Sequence, residues 1–378
     1  GIQDFAALMN LDCSDNPIGN LDITQNSILD SLDCSINQLT SLDITQNTAL
    51  TSLICSSNIL TSLDVSQHTS LTNLDCSFNH IANLDVTQNT SLIKLNCQWN
   101  QLTDLDITQN TTLNFLDCGV NDLTNLNATL NTLLTELLCI GNQLTGLDVT
   151  QNTGLLLLNC SGNLLNDLDI TQNIDLTSLT VGANPLTNID LTQNIALTLI
   201  NCDQSFLSTL NLSQNTQLTN FSCSGSLFTD LDVTQNTNLT HLWCPGNQIP
   251  SLDLSQNTAL THLMCFDNLL TSLDVSQNTS LTYFGCYSNE LTCLNMQNGN
   301  NHNITDFWAD NNPSLNCIQV DDVAYANQNF PIIPFGAAFS SSCSNQCGSG
   351  SFPSITETHE LVVPKSIPII FDIFFILY

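Results

Sequence analysis

Three kinds of side chain in this sequence could carry chemistry, and each recurs at a fixed spacing. Thirteen of the seventeen cysteines, from Cys13 and Cys34 to Cys265 and Cys286, stand at steps of 21 residues, with Val181 filling the one gap. One thiolate per step along a line cannot surround a metal ion tetrahedrally. Neighbouring thiols on parallel strands rarely reach the dihedral a disulfide needs. The row therefore reads as free, buried, space-filling thiols.

Aspartate keeps the same step. Asp22, Asp43, Asp64, Asp85, Asp106, Asp148, Asp169, Asp190, Asp232, Asp253 and Asp274 are each followed two residues on by threonine or serine. Carboxylates stacked about 4.8 Å apart repel by about 1 kcal/mol in water and a few kcal/mol at an effective dielectric near 20. Screening salt, raised pKa values on alternate aspartates, bridging calcium, or hydrogen bonds from the neighbouring hydroxyls would each relieve this. Calcium would sit best where a second aspartate adjoins the row: Asp104 with Asp106, Asp167 with Asp169, and Asp230 with Asp232. None has the glycine-bearing loop of a dedicated calcium motif. The Thr/Ser ladder also raises ice binding, which the interleaved, strongly hydrated carboxylates oppose.

The third set is apolar and aromatic and lies late in the chain: His241, Trp243, His262, Met264, Phe266, Tyr283 and Tyr287. An exposed patch of this kind marks a contact surface, for a protein or glycan partner or for the chain's own C-terminal segment. His241 and His262 together lack the third ligand of a good metal site.

The elements that position these residues follow from the period. LTSLDVSQHTSLTNLDCSFNH, IANLDVTQNTSLIKLNCQWNQ and LTDLDITQNTTLNFLDCGVND run without insertion, and fourteen such units fill Leu8 to Asn301. In a strand, alternate side chains face opposite ways, so Leu42 and Ile44 point in while Asp43 and Thr45 point out. Asparagine rows at Asn37, Asn79, Asn100, Asn121 and Asn142, and at Asn26, Asn47, Asn89, Asn110, Asn152 and on to Asn278, suit turns whose amides bond from rung to rung. The first row lapses at Ser205 and Ser226, where a local irregularity is expected.

The Leu-x-x-Leu-x-Cys-x-x-Asn half matches the leucine-rich repeat pattern, and the chain resembles the nested 21-residue bacterial subclass called IRREKO-type. The segment NNPSLNCIQVDDVAYANQNF followed by Cys343 is similar to the cap of secreted Bacteroidetes leucine-rich repeat proteins. The resemblance implies a β-rich, right-handed solenoid of about fourteen coils with two short parallel strand ladders and little or no helix. Residues 1–301 form the solenoid, 302–347 an irregular cap, and 348–378 a hinge with an apolar, strand-like tail. It further implies an exported or cell-surface protein with a structural, adhesive or recognition role, needing no cofactor. In the resembled cap a disulfide closes the last coil, here Cys317 to Cys343, with Cys293 to Cys317 as the alternative.

Composition removes other functions. Thirty-four acidic residues face two lysines, Lys94 and Lys365, and no arginine, for a net charge of −32. Phosphate backbones and anionic lipids are gripped by clustered cations, so neither is a partner. No phosphate loop, nucleophile elbow or two-histidine metal helix is present, so the chain does not read as an enzyme.

The ends suggest assembly. Solenoids need capped termini, yet GIQDFAALMNLDCS enters the first coil almost at once. At the other end Ile369, Ile370, Phe371, Phe374 and Phe375 could add a strand to a neighbouring copy, giving a head-to-tail filament. Deleting Ser366 to Tyr378 should then abolish filaments seen by electron microscopy; monomers before and after would overturn this.

Overall fold

The computed structural model describes residues 2–343, and the tail residues Ile369 to Phe375 lie outside them. Within that range the chain is a parallel β-solenoid. Three-residue strands from Asn10–Asp12 to Asp306–Trp308 form one fifteen-stranded ladder. Each strand pairs with its equivalent in the next coil, Leu11 with Leu32 and Leu32 with Leu53. The middle residue of every strand after the first is buried, and Leu32, Cys34, Leu39, Ile44 and Leu50 show how one coil fills the interior with residues at most 1% exposed. Among the described residues helix is limited to Val323–Asn329, opened by the Asp322 carboxylate accepting from the Tyr325 N–H at 3.0 Å, and two single 3-10 turns.

The two parallel ladders differ in extent. The second ladder does not run the length of the solenoid: only Ser272–Asp274, Cys293–Asn295, Cys317–Gln319 and Ala338–Ser340 pair as strands. Upstream, the extended Leu-Asp-Ile/Val stretch passes at once into two tight turns, as where Asn26 N–H donates to Ile23 O and Leu29 N–H to Asn26 O. Adhesion between coils there passes to side chains. Past residue 301 the stacking continues: Asp306–Trp308 is a further rung, pairing with Tyr283–Gly285, and Asn312 occupies its turn. The 3-10 turn at Asn301–Asn303 absorbs two residues beyond the period of 21.

The asparagines join the coils through main-chain carbonyls. In the first row Asn58 donates from Nδ2 to Cys34 O in the preceding coil (3.0 Å) and to Cys55 O (3.1 Å), while its Oδ1 accepts from Leu39 N–H (2.9 Å). In the second row Asn152 Nδ2 donates to Ala128 O (2.9 Å) and Asn131 O (2.8 Å), both in the preceding coil. These side chains are fully buried, and their Oδ1 atoms have no donor. An amide here answers two buried carbonyls that would otherwise each cost about 1 to 3 kcal/mol. At the Ser205/Ser226 lapse the hydroxyls lie 3.1 Å apart, Ser226 Oγ donates to Cys202 O, and the buried Phe221 and Phe228 fill the volume. The irregularity is one of hydrogen bonding, since strand register continues through it.

His68 takes an asparagine position in the second row. Its Nε2 lies 3.1 Å from Ile44 O and must donate, which leaves Nδ1 bare and only one bond where asparagine makes two. His68→Asn should raise stability by about 1 kcal/mol and Asn152→Ala should lower it by about 2 to 4 kcal/mol, read as opposite shifts in thermal melting by circular dichroism.

Candidate functional site

Burial settles the thiol row. Cys34, Cys160 and Cys244 are pushed up to about 12, chiefly by desolvation, and their neighbours move the same way. Such thiols stay protonated and inert. At the last coils Cys317 pairs with Cys343, with a Cα separation of 5.9 Å. Cys293 is also disulfide-bonded, but not to Cys317, which excludes the alternative pairing.

The aspartate row is relieved by hydroxyls. Thr45 donates to Asp43 Oδ1 from its backbone N–H (3.0 Å) and from Oγ1 (2.7 Å), and the pattern repeats at Asp85, Asp106, Asp148, Asp169, Asp190 and Asp232. The threonine hydroxyl is the largest cause holding these carboxyls below their ordinary value, and repulsion from a neighbouring aspartate is a smaller opposing one at Asp85 and Asp148. Of the ways of relieving the row, these carboxyls use hydroxyl and backbone donors rather than raised values on alternate members, because each charge meets two donors of its own coil.

In each calcium pair the row member, Asp106, Asp169 or Asp232, already spends Oδ1 on a threonine, while Asp104, Asp167 and Asp230 are exposed. Among the described residues no group of three or more His, Cys, Asp or Glu is placed to hold a metal ion. The threonine hydroxyls at Thr45, Thr87, Thr108, Thr150, Thr171, Thr192 and Thr234 likewise give their protons to carboxylates, so these members of the ladder are not free hydroxyls.

The structure brings the seven late residues onto one face of the strand ladder. His241, His262 and Tyr283 are the first residues of successive strands. The imidazoles stack at 4.3 Å and 13°, and Tyr283 stacks on His262 at 5.4 Å. Phe266 and Tyr287, one position past the cysteine row, stack at 4.3 Å and 9°. Met264 lies over Gly285, where a Cβ would stand 2.8 Å from its Sδ. Trp243 stays 37% exposed.

Sequence reasoning missed Trp308, which meets Tyr283 edge-on at 5.1 Å. Its signal is DFWAD, a unit with Phe and Ala in the leucine and cysteine places, displaced by the two extra residues. It also missed Ile36, Phe78 and Trp99, which are 56%, 47% and 40% exposed at left-handed turn positions with φ near 53°. Bulky residues are strained there, and Gly141, Gly162, Gly225 and Gly246 show what the turn prefers.

The repeat, its one-rung register and its buried cysteine row define a leucine-rich repeat solenoid, and the comparisons agree. No family model matches, and no curated protein matches. Among solved structures the functional domain of InlJ from Listeria monocytogenes, described as including a cysteine ladder, is 40% identical with a TM-score of 0.79, covering 82% of this chain and 70% of that one. The chain belongs to the bacterial leucine-rich repeat proteins. A leucine-rich repeat protein of Leptospira interrogans (24% identity, TM-score 0.66, 89% and 97% covered) and an internalin, InlF, of Listeria monocytogenes (21%, 0.67, 76% and 88%) share the fold.

Two carboxyls, Asp117 and Asp203, are pushed the other way by burial, and Asp117 has the fewer donors to offset it. Asp117 ends its strand only 6% exposed, and burial outweighs the Gly119 N–H it accepts, lifting it from 3.8 to about 6. A raised acid penalises the folded state once the unfolded chain ionises: stability is full below pH 3.8, falls as pH rises towards 6, and stays lower above. Asparagine already fills this row at Asn96, Asn159 and Asn201. Asp117→Asn should therefore stabilise by up to about 3 kcal/mol at pH 7 and by little at pH 4, in melting curves at the two pH values.

Proposed function

We propose that this chain is a non-enzymatic recognition or adhesion module of the secreted or surface-displayed bacterial kind, whose contact surface is the stacked face from His241 to Trp308. One observation carries the reading: aromatic side chains occupy outward positions on successive rungs where earlier coils carry Ser31, Asp33, Ser35, Ser52 and Ser56. An aromatic cluster at half exposure is costly for the free chain and characteristic of binding hot spots. The similarity to InlJ supports this class, and no described helix is long and apolar enough to cross a membrane.

The finer assignment, to the IRREKO-type subclass and to secreted Bacteroidetes proteins, belongs to the same proposal and rests on the 21-residue unit and the cap sequence. The partner is a protein or glycan, with neither calcium nor another cofactor required. The filament reading stays with the tail and its deletion.

Serine already stands in the relevant rows at Ser222 and Ser224, so the triple variant Trp243→Ser, Phe266→Ser, Tyr287→Ser keeps the fold. Against arrays of purified surface proteins and oligosaccharides it should lose more than about tenfold in affinity with melting unchanged. Equal binding by the variant and the parent chain would overturn the assignment of this face.

A further inference from the structure

Resting on that reading of the face, we infer that it takes the arginine or lysine side chains of a protein partner rather than a sugar. The first reason is which part of each ring is free. Sugars are bound by laying their apolar faces on aromatic faces, but His241 covers His262 and Phe266 covers Tyr287 at 4.3 Å, so these stacks turn edges outward. Trp243 joins none of these stacks among the described residues, and an indole face is the best aromatic partner for a cation.

The second reason is the placement of protons. Thr240 Oγ1 gives its hydrogen to Thr219 O at 3.0 Å, so it can only accept at the 2.9 Å contact with His241 Nδ1. Thr261 repeats this, donating to Thr240 O at 3.0 Å and accepting from His262 Nδ1 at 2.9 Å. Both imidazoles are therefore Nδ1–H tautomers, and each leaves Nε2 as a bare acceptor, one rung apart on a half-exposed face. Burial also holds both rings below the ordinary histidine range, which keeps them neutral at pH 7.

The third reason is charge. Asp267 and Asp310 act on Tyr287 at the edge of the face, Lys94 is the one cation of the Lys/Arg type among the described residues, and the chain carries −32. A surface of lone pairs, carboxylates and one partly exposed indole complements a guanidinium, which has five N–H donors and no acceptor.

The test uses the full chain with Trp99→Phe, so that tryptophan emission reports Trp243 and Trp308. The probes are an octapeptide alternating arginine and serine, its citrulline counterpart, and a neutral hexasaccharide, at about 0.15 M salt. The arginine peptide should quench emission and the other two should not. His241→Phe with His262→Phe keeps the stack, since Phe115 holds that row naturally, and should weaken binding by roughly tenfold. Replacing Asp64, Asp85 and Asp106 by asparagine, the residue found there at Asn127, Asn211 and Asn295, should leave the affinity within about twofold if this face is the site.

Loss of binding in the aspartate variant but not in the histidine variant would overturn the inference in favour of diffuse attraction. Binding that needs added zinc and vanishes with chelator would overturn it in favour of a two-imidazole metal site. Equal response to citrulline or hexasaccharide would overturn the cationic partner while leaving the face as the contact surface, whereas failure of that surface itself is read from the serine variant.

Discussion

Each coil is fastened to the one before it by asparagine amides, and the rest of the molecule follows from that bond. Asn58 reaches Cys34 O and Asn152 reaches Ala128 O, so the amide of one coil satisfies carbonyls that its predecessor cannot satisfy alone. Such a bond fixes register to the residue. A slip of one position would turn the leucines and cysteines outward and leave paired carbonyls bare in the interior. Coils held this way put every residue against its own equivalent, and the protein's chemistry is what results when like is stacked on like.

For thiols the result is harmless, since neutral sulfur packs well and burial keeps it neutral. For aspartates it would be unfavourable, at about 1 kcal/mol per exposed neighbour pair in water. The chain answers with a threonine or serine two residues on, and hydrogen bonds of 2.6 to 2.8 Å from threonine outweigh the neighbour's repulsion in setting the charge state. For aromatic residues stacking is favourable, and the end of the ladder exploits it. There the same register makes a ribbon of rings whose edges, rather than faces, meet the solvent.

Asp117 is an instructive exception. It sits in the cysteine half, where rows are not uniform, between Asn96 and Leu138 on the adjacent strands, and Gly119 opens room that Ile140 partly fills. Its carboxyl meets one backbone donor in place of a donor and a hydroxyl, and desolvation wins. The variable half thus tolerates locally costly choices, and the exposed Phe78 and Trp99 at strained turn positions are further examples.

The period made most of this legible without coordinates: the interior rows, the free thiols, the aspartate ladder and the aromatic stretch from His241 to Tyr287 all follow from spacing, because a strand has only two faces and a repeat assigns them once for every coil. Three matters needed the tertiary structure. Trp308 belongs to the face only because a 3-10 turn takes up two residues, a change of path that spacing cannot foresee. The second strand ladder is confined to the last coils because turns and asparagine amides, rather than strand pairing, join the rest. The proton positions on His241 and His262 depend on threonine hydroxyls already engaged with carbonyls one coil away. Sequence alone determined what each row is made of, since that is a matter of period; which donors, faces and lone pairs remain free is decided between coils, by distances that exist only once the rungs are stacked.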